Sequence, residues 1–412
     1  FKPTLRLGQS DTLTGFIQAE RYDIDGRGAA STVAPEATVE ELSAGAAWSA
    51  NYTKVLSSST VFVARFAGFT GYYDLLPYNG DDTPGWYDVE HDFYGVNSYY
   101  FYKADRTRNQ LNASLTKYAS NFAGEHNLKF GVEFERSHIK SEWAYPGGSY
   151  VLASFGEPYY AYLYDGYLKD SSNNRFALYA QDSWAITPRF TLNPGVRVDL
   201  HRGIQQASDD TVFKTNPISP RIGFAWDLLG TNRTVLRGHY GWYHDGAKSS
   251  YFDPLDPGNS PQFGAYVDAN LNIISDVYLR NTSTATTHSM DENIKHPRLK
   301  QSTVGIEHAL VGNLSLSVNG IWRDYDRFVD DVLIRVPGDY SATTLDDPGP
   351  DDEHGTSDDP GSTITGYEQV IAPEDQRFLI TNPEGAFRRY RGIEFVANKR
   401  MSDRWQLQAS GG

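Results

Sequence analysis

The 412-residue sequence contains no cysteine, which excludes disulfide scaffolds, thiolate metal sites and cysteine nucleophiles. It has no run of about 18 apolar residues, so it encodes no transmembrane helix. Positive charge is scarce: 37 Lys and Arg face 52 Asp and Glu, a net charge of −15. A general nucleic-acid binder needs a basic face, and that class is excluded. Glycine-rich phosphate loops are missing too, since Gly26, Gly28, Gly147 and Gly148 are isolated loop glycines. The chain starts at Phe1 without the basic, apolar and small-residue succession of a leader, and both ends read as truncated. Aromatic residues are abundant: 28 Tyr, 21 Phe and 8 Trp, more than a polar soluble surface needs. They coexist with a mean hydropathy of −0.52.

The dominant pattern is alternation with period two. Leu128, Phe130, Val132 and Phe134 fall on one face, and Lys129, Glu133 and Glu135 on the other. Phe190 to His201, Leu314 to Arg323, Leu42 to Thr53, Phe176 to Ile186 and Trp405 to Ser410 repeat it. Each segment predicts a strand with one apolar and one polar face. Many run about ten to fifteen residues, longer than the usual five to six and long enough for the nine to eleven of a tilted bilayer-spanning strand.

Connections alternate in length. Tight turns are predicted at Gln9 to Asp11, Ser57 to Ser59, Asn121 to Glu125, Thr187 to Arg189, Gly230 to Asn232, Gly312-Asn313 and Ser402-Asp403. Between them lie long polar loops at Ile24–Glu40, Asp74–Arg106, Ser141–Asn174, Gly203–Ser219, His244–Arg298 and Phe328–Phe387. Short turns at one rim and long loops at the other describe an outer-membrane barrel. Tyr240, Trp242, Tyr243, Trp322 and Tyr325 cluster at strand ends, where a membrane girdle or simple strand propensity accounts for them. The fold class read from the sequence is all-β, an antiparallel up-and-down transmembrane β-barrel of roughly fourteen strands. Residues 1–412 form one unit with no second domain.

Several stretches, taken in order, carry a family resemblance. They are His126 to Arg136, Ala177 to Trp184, Leu192 to Asp199, Ser219 to Trp226, Arg298 to Glu307 and Tyr390 to Val396. Together they resemble the barrel of TonB-dependent outer-membrane receptors, nearest to the Oar-like subgroup, which often carries a carboxypeptidase-regulatory-like domain. The resemblance implies a 22-stranded barrel, an N-terminal plug and energised uptake through the TonB complex. By that pattern the plug, the signal peptide and the final strands are absent from this sequence. The implied setting is the outer membrane of a Gram-negative bacterium. The implied partners are outer-membrane lipid, TonB through the missing plug and an unidentified extracellular substrate, with no nucleic acid.

Candidate chemistry is sparse. The tract Asp346 to Gly361 supplies seven carboxylates and no Lys or Arg. Asp346, Asp351, Asp352, Asp358 and Asp359 are candidate calcium ligands, because calcium takes closely spaced oxygens, yet the offsets are not those of an EF-hand. A solvated acidic surface loop is the other reading. No other cofactor is expected. The ten histidines form no metal-binding pair by spacing, and no nucleophile and base are arranged for catalysis, so no enzyme is expected. Asp324 and Asp326, with Arg197, Arg221, Arg233, Arg237, Arg323 and Arg391, read as a polar barrel lumen. Aromatics of the long loops, such as Tyr99, Tyr100, Trp143, Tyr159 and Tyr160, are candidate substrate contacts, because aromatic platforms with polar neighbours suit sugars or peptides. They serve equally as loop packing. The expected function is uptake of a sugar, peptide or metal chelate. Surface adhesion or secretion support without import is one alternative, and a soluble carbohydrate-binding β-protein is another.

Overall fold

The computed structural model describes residues 1–120, 123–281, 285–311, 313–372 and 375–412. Within them, fourteen strands follow one another as an antiparallel meander in strict chain order. They are β1 (Thr4–Arg6), β2 (Asp11–Arg27), β3 (Val39–Ser57), β4 (Thr60–Pro77), β5 (Phe101–Ala119), β6 (Glu125–Ala144) and β7 (Tyr167–Gln181). The second half comprises β8 (Phe190–Gln205), β9 (Ile218–Asp227), β10 (Thr234–His244), β11 (Arg298–Val311), β12 (Leu314–Asp326), β13 (Phe387–Ser402) and β14 (Trp405–Gly411). Strands of up to 20 residues exceed what a bilayer needs, so the wall projects past the apolar zone.

Cross-strand register keeps one face apolar throughout. Phe134 on β6 stands opposite both Leu111 and Phe176, and Val132 opposite Leu178. These residues remain 40–49% exposed, which in water is a liability and in lipid is the solvated state. The opposite face carries charge. Arg197 on β8 pairs with Asp199 at 2.8 Å and reaches Glu133 on β6 at 2.6 Å, while Arg175 bridges to Glu135 at 3.1 Å. Large rings close gaps over glycines directly opposite: Trp48 over Gly68, Tyr179 over Gly131 and Phe224 over Gly238, where a Cβ would meet the ring at 2.2–2.4 Å.

The tight turns stand where alternation predicts them, although Asn121, Phe122 and Gly312 of two predicted turns lie outside the described residues. Three expectations need correction. The strand expected over Phe176–Ile186 is interrupted: β7 ends at Gln181, and Trp184–Thr187 is a separate short strand pairing β8 and β6. The long loops are more ordered than expected. Parts of the 78–100, 145–166 and 245–297 loops build a six-stranded sheet of their own, and Tyr340–Asp346 pairs with Thr363–Gln369 as a hairpin. Finally, Asp324, Asp326 and Arg391 do not face the lumen. Asp324 and Asp326 share the parity of Leu316, Val318 and Trp322, and Arg391 stands opposite Trp322, so all three face outward. Charge alone misleads here, because the outward face stops being apolar above the lipid zone.

A compact apolar cluster lies among the loops. Phe213, Phe252, Ile294 and Ile380 are 0–8% exposed and pack together, with Phe252 lying over Gly203 of β8. The cluster fixes the long 245–297 loop against the wall.

Candidate ligand chamber at the long-loop rim

Three chain segments converge at the long-loop rim. The first is the stretch from Phe93 to Tyr100. The second is the hairpin of Ser149–Ser154 and Glu157–Leu163, which turns at Phe155 (φ 50°) and Gly156 (φ 81°). Two consecutive left-handed residues are what a tight two-residue hairpin requires. The third is Gln262–Tyr266, which pairs with Glu157–Leu163. Asn97, 1% exposed, locks the first segment in place. Its side-chain oxygen accepts from the Ser98 amide at 3.0 Å, and its amide nitrogen donates to the carbonyls of Gly80 (3.0 Å) and Thr83 (2.6 Å).

Together with the stretch from Arg27 to Val39, these segments surround an open cavity of about 700 Å³ lined by Tyr94, Tyr99, Tyr100, Tyr145, Tyr150 and Tyr162, with Arg27, Asn97 and Gln262 among the polar residues. Alternation explains the concentration. Tyr150 stacks on Tyr162 at 6.3 Å, since the two are directly opposite in the hairpin. Tyr145 packs on Tyr150 at 5.8 Å, and its hydroxyl accepts a 2.7 Å hydrogen bond from Gln262. Burial raises the phenols of Tyr145 and Tyr150 above the usual tyrosine range, and pushes that of neighbouring Tyr164 up to about 12. The rings therefore stay neutral and able to donate at physiological pH. Arg27, the cationic lining residue, is ion-paired with Glu41. The chamber thus offers neutral aromatic faces and hydrogen-bonding groups.

The sequence-derived candidates divide. Tyr99 and Tyr100 line the chamber. Trp143 lies behind it, stacked on Tyr100 at 6.1 Å and on Tyr167 at 6.3 Å. Tyr160 packs edge-on against Tyr162 and Tyr266. Tyr159 is the extra residue at a register shift between Pro158 and Tyr160 and is not among the lining residues. Tyr145, Tyr150 and Tyr162 lie in a segment whose aromatic density was legible. Arg27 and Gln262 join from distant loops and carry no local signal.

In the acidic tract several carboxylates accept hydrogen bonds from the tract's own amides and hydroxyls. Asp359 accepts from the Gly355 amide at 2.8 Å, and Asp358 from the Thr356 hydroxyl at 2.6 Å. These bonds hold both carboxyls below the usual aspartate range. Among the described residues, the group of carboxylates whose oxygens lie within 4.8 Å of one another is Asp23, Asp25 and Glu40, outside this tract.

A histidine group also escaped sequence reasoning. His201 from β8 and His296 from the 245–297 loop stack at 4.2 Å, with His244 from the end of β10 at 6.1 Å from His296. His296 is held by Thr215 and by the Asp245 carbonyl, each at 2.8 Å, and burial lowers its pKa. The group pins the loop to the wall.

Comparison with known proteins covers the whole wall. The family described as TonB dependent receptor-like, beta-barrel matches residues 4–412. The TonB-dependent transporter Oar of Myxococcus xanthus is 26% identical over 294 residues, 58% of this chain and 27% of that protein. Among solved structures, the outer membrane transporter YddB of Escherichia coli superposes with a TM-score of 0.56 at 14% identity, over 96% of this chain and 44% of its own. The ferripyoverdine receptor of Pseudomonas aeruginosa, bound to ferripyoverdine, gives 0.58 at 12% identity, over 99% of this chain and 47% of its own. The chain thus spans about a quarter of that curated relative and less than half of these solved receptors.

Proposed function

Because the chain belongs to the TonB-dependent receptor-like β-barrel family, a family of outer-membrane receptors and transporters rather than enzymes, we propose that its tyrosine-lined chamber captures the substrate for energised import. The observation that carries this reading is the chamber itself, with six tyrosines around about 700 Å³ at the long-loop rim. That volume lies within the about 300–1,000 Å³ usual for small-molecule sites. The lining favours an uncharged, hydroxyl- or amide-rich ligand, a sugar or a peptide, over an anionic metal chelate. Arg27 is already matched by Glu41, and the neutral phenols and Gln262 serve as donors and acceptors. TonB, acting through the plug of the whole receptor, would supply the energy. A soluble carbohydrate-binding protein finds no support, since Phe130, Phe134, Val304 and Phe395 stand 45–58% exposed on one continuous apolar face.

The test is binding of defined neutral oligosaccharides and short peptides to the full-length protein in detergent, read by intrinsic fluorescence. Trp143, stacked on Tyr100, is the reporter. Saturable quenching by at least one probe is expected, weakened about tenfold or more by Tyr150→Ala, since an aromatic contact and its buried area are lost. The same probe should enter cells only when TonB is present. Quenching untouched by Tyr150→Ala removes the chamber from the mechanism, and uptake without TonB removes energised import.

A further inference from the structure

The segment that carries Tyr99 and Tyr100 into the chamber begins with a backbone conformation that its sequence disfavours. The Asn97 amide donates to the Gly95 carbonyl at 2.8 Å, across the single residue Val96, whose φ is 69°. A hydrogen bond spanning one residue of positive φ makes a γ-turn of the rare, strained form. Glycine adopts positive φ freely, whereas valine, branched at Cβ, is among the residues least suited to it. Packing offers little compensation, because Val96 is 38% exposed.

Polar contacts hold the turn instead. Asn97 uses its full hydrogen-bonding capacity. Its Oδ1 accepts from the amides of Ser98 (3.0 Å) and Asn79 (3.2 Å), and its Nδ2 donates to the carbonyls of Gly80 (3.0 Å) and Thr83 (2.6 Å). The Asn79 side chain in turn donates to the Val96 carbonyl. The 79–83 stretch is thereby tied both to the strained residue and to the one after it. A Cβ on Gly85 would stand 2.5 Å from the Ser98 carbonyl oxygen, so the backbones approach as closely as glycine allows. Past this lock the Ser98 hydroxyl donates to the Tyr100 carbonyl at 2.8 Å. Tyr99 is delivered against Tyr150 at 5.7 Å, and Tyr100 against Trp143 at 6.1 Å.

We infer that Val96 and Asn97 form a strained latch for ligand capture, in which Asn97 is the positioning residue for the rings of Tyr99 and Tyr100. A strained residue persists where its surroundings over-determine it, and loss of the lock lets the turn relax. Relaxation at Val96 redirects the chain just ahead of both rings and withdraws them from the chamber. An uncharged, hydroxyl- or amide-rich ligand that touches the rings binds the locked state, and so stabilises the lock in return. The consequence for the ligand rests on the chamber reading, whereas the latch itself rests on the turn.

Hydrogen exchange of amides 98–102 in the full-length protein, held in dodecyl maltoside micelles, reads the latch without ligand. Val96→Gly should slow this exchange about threefold or more, because the strain is removed. Val89→Gly is the comparison: Val89 is 36% exposed and is not among the residues of positive φ, so its own neighbours should exchange faster. Asn97→Ala should speed exchange of 98–102 about tenfold or more. It should also shift the Trp143 emission, isolated by difference from Trp143→Phe, as Tyr100 leaves that ring. Adding Val96→Gly should recover part of both effects. Fluorescence titration with chitotetraose and with N-acetyl-tetraalanine amide reads the consequence for binding. Affinity for a probe that quenches the wild type should fall about tenfold or more in Asn97→Ala and return in part in the double variant. Heat-modifiable gel mobility checks that each variant forms the barrel.

Faster exchange in Val96→Gly, as in Val89→Gly, overturns the strain and needs no destabilised variant to be read. An assembled Asn97→Ala protein with wild-type exchange and Trp143 emission overturns the lock. Wild-type probe affinity in an Asn97→Ala protein whose exchange is accelerated overturns the positioning role. A wild-type protein quenched by neither probe counts against the chamber reading alone, while exchange and emission still decide the latch.

Discussion

The contact between Phe252 and Gly203 can be attacked from both sides, and the two attacks should not add. Phe252 is 0% exposed and stacks on Phe213 at 6.3 Å in the loop cluster. Its truncation in Phe252→Ala costs about 3–5 kcal/mol in a well-packed site. Gly203 sits near the C-terminal end of β8, and a Cβ there would come within 2.4 Å of the Phe252 ring. Gly203→Ala therefore overpacks the same spot, at about 1–3 kcal/mol. In the double variant the added methyl enters the space the ring has left, so its cost should fall close to that of Phe252→Ala alone. The shortfall from additivity, about 1–3 kcal/mol, is the coupling energy of the contact. The loss is local, because the cluster ties the loop to a wall that keeps its own ladders. Hydrogen exchange of the full-length protein in micelles is the assay. Amides of 245–258 should exchange at least about a hundredfold faster in Phe252→Ala, following about 1.4 kcal/mol per tenfold, while amides of β3 to β5 hold. Strictly additive variants, or equal acceleration in the wall, would refute the account of the cluster as a separate clasp.

Two further outcomes follow from buried groups. His296 has its pKa lowered by burial, so the docked loop holds it neutral while the released loop lets it protonate near the ordinary value of about 6.5. Docking stability is therefore intact above that value and falls as pH drops below it; limited proteolysis of the 245–297 loop should accelerate from pH 7.5 to about 5.5 in the wild type and less in His296→Gln. Arg197→Met leaves Glu133 and Asp199 facing each other with Arg175, at 3.8 Å from Glu133, as the nearby cation. Thermal unfolding in detergent should report a loss of about 3–5 kcal/mol, as for a broken part-buried ion pair, which Arg197→Lys restores in part.

Much of the wall was legible because a strand with lipid on one side and water on the other must alternate without exception. Phe130, Val132 and Phe134 announce both the strand and its facing, and the Gly, Asn, Asp and Ser turns mark the short rim. The error over Asp324, Asp326 and Arg391 came from setting that rule aside. Parity correctly put Asp324 on the side of Trp322, but the expectation that charge means lumen overrode it. The chamber was only half legible. Tyr99 and Tyr100 were visible as aromatics in a polar loop, whereas Arg27 and Gln262 reach it through pairings between loops far apart in the chain. Nothing local encodes such pairings, and the stack of His201 on His296 is hidden for the same reason.

The sheet built from the loops has a consequence for how such a receptor changes its preference over evolutionary time. Ser149–Ser154 is hydrogen-bonded in parallel to Gly85–Asp88, and its hairpin partner Glu157–Leu163 to Gln262–Tyr266. Three excursions from the wall are thus one fabric, and a residue inserted in any of them shifts the register that seats tyrosines contributed by the others. The heritable unit of specificity is that set of three with the Arg27–Val39 stretch that completes the lining, exchanged together or altered one side chain at a time, rather than any single loop.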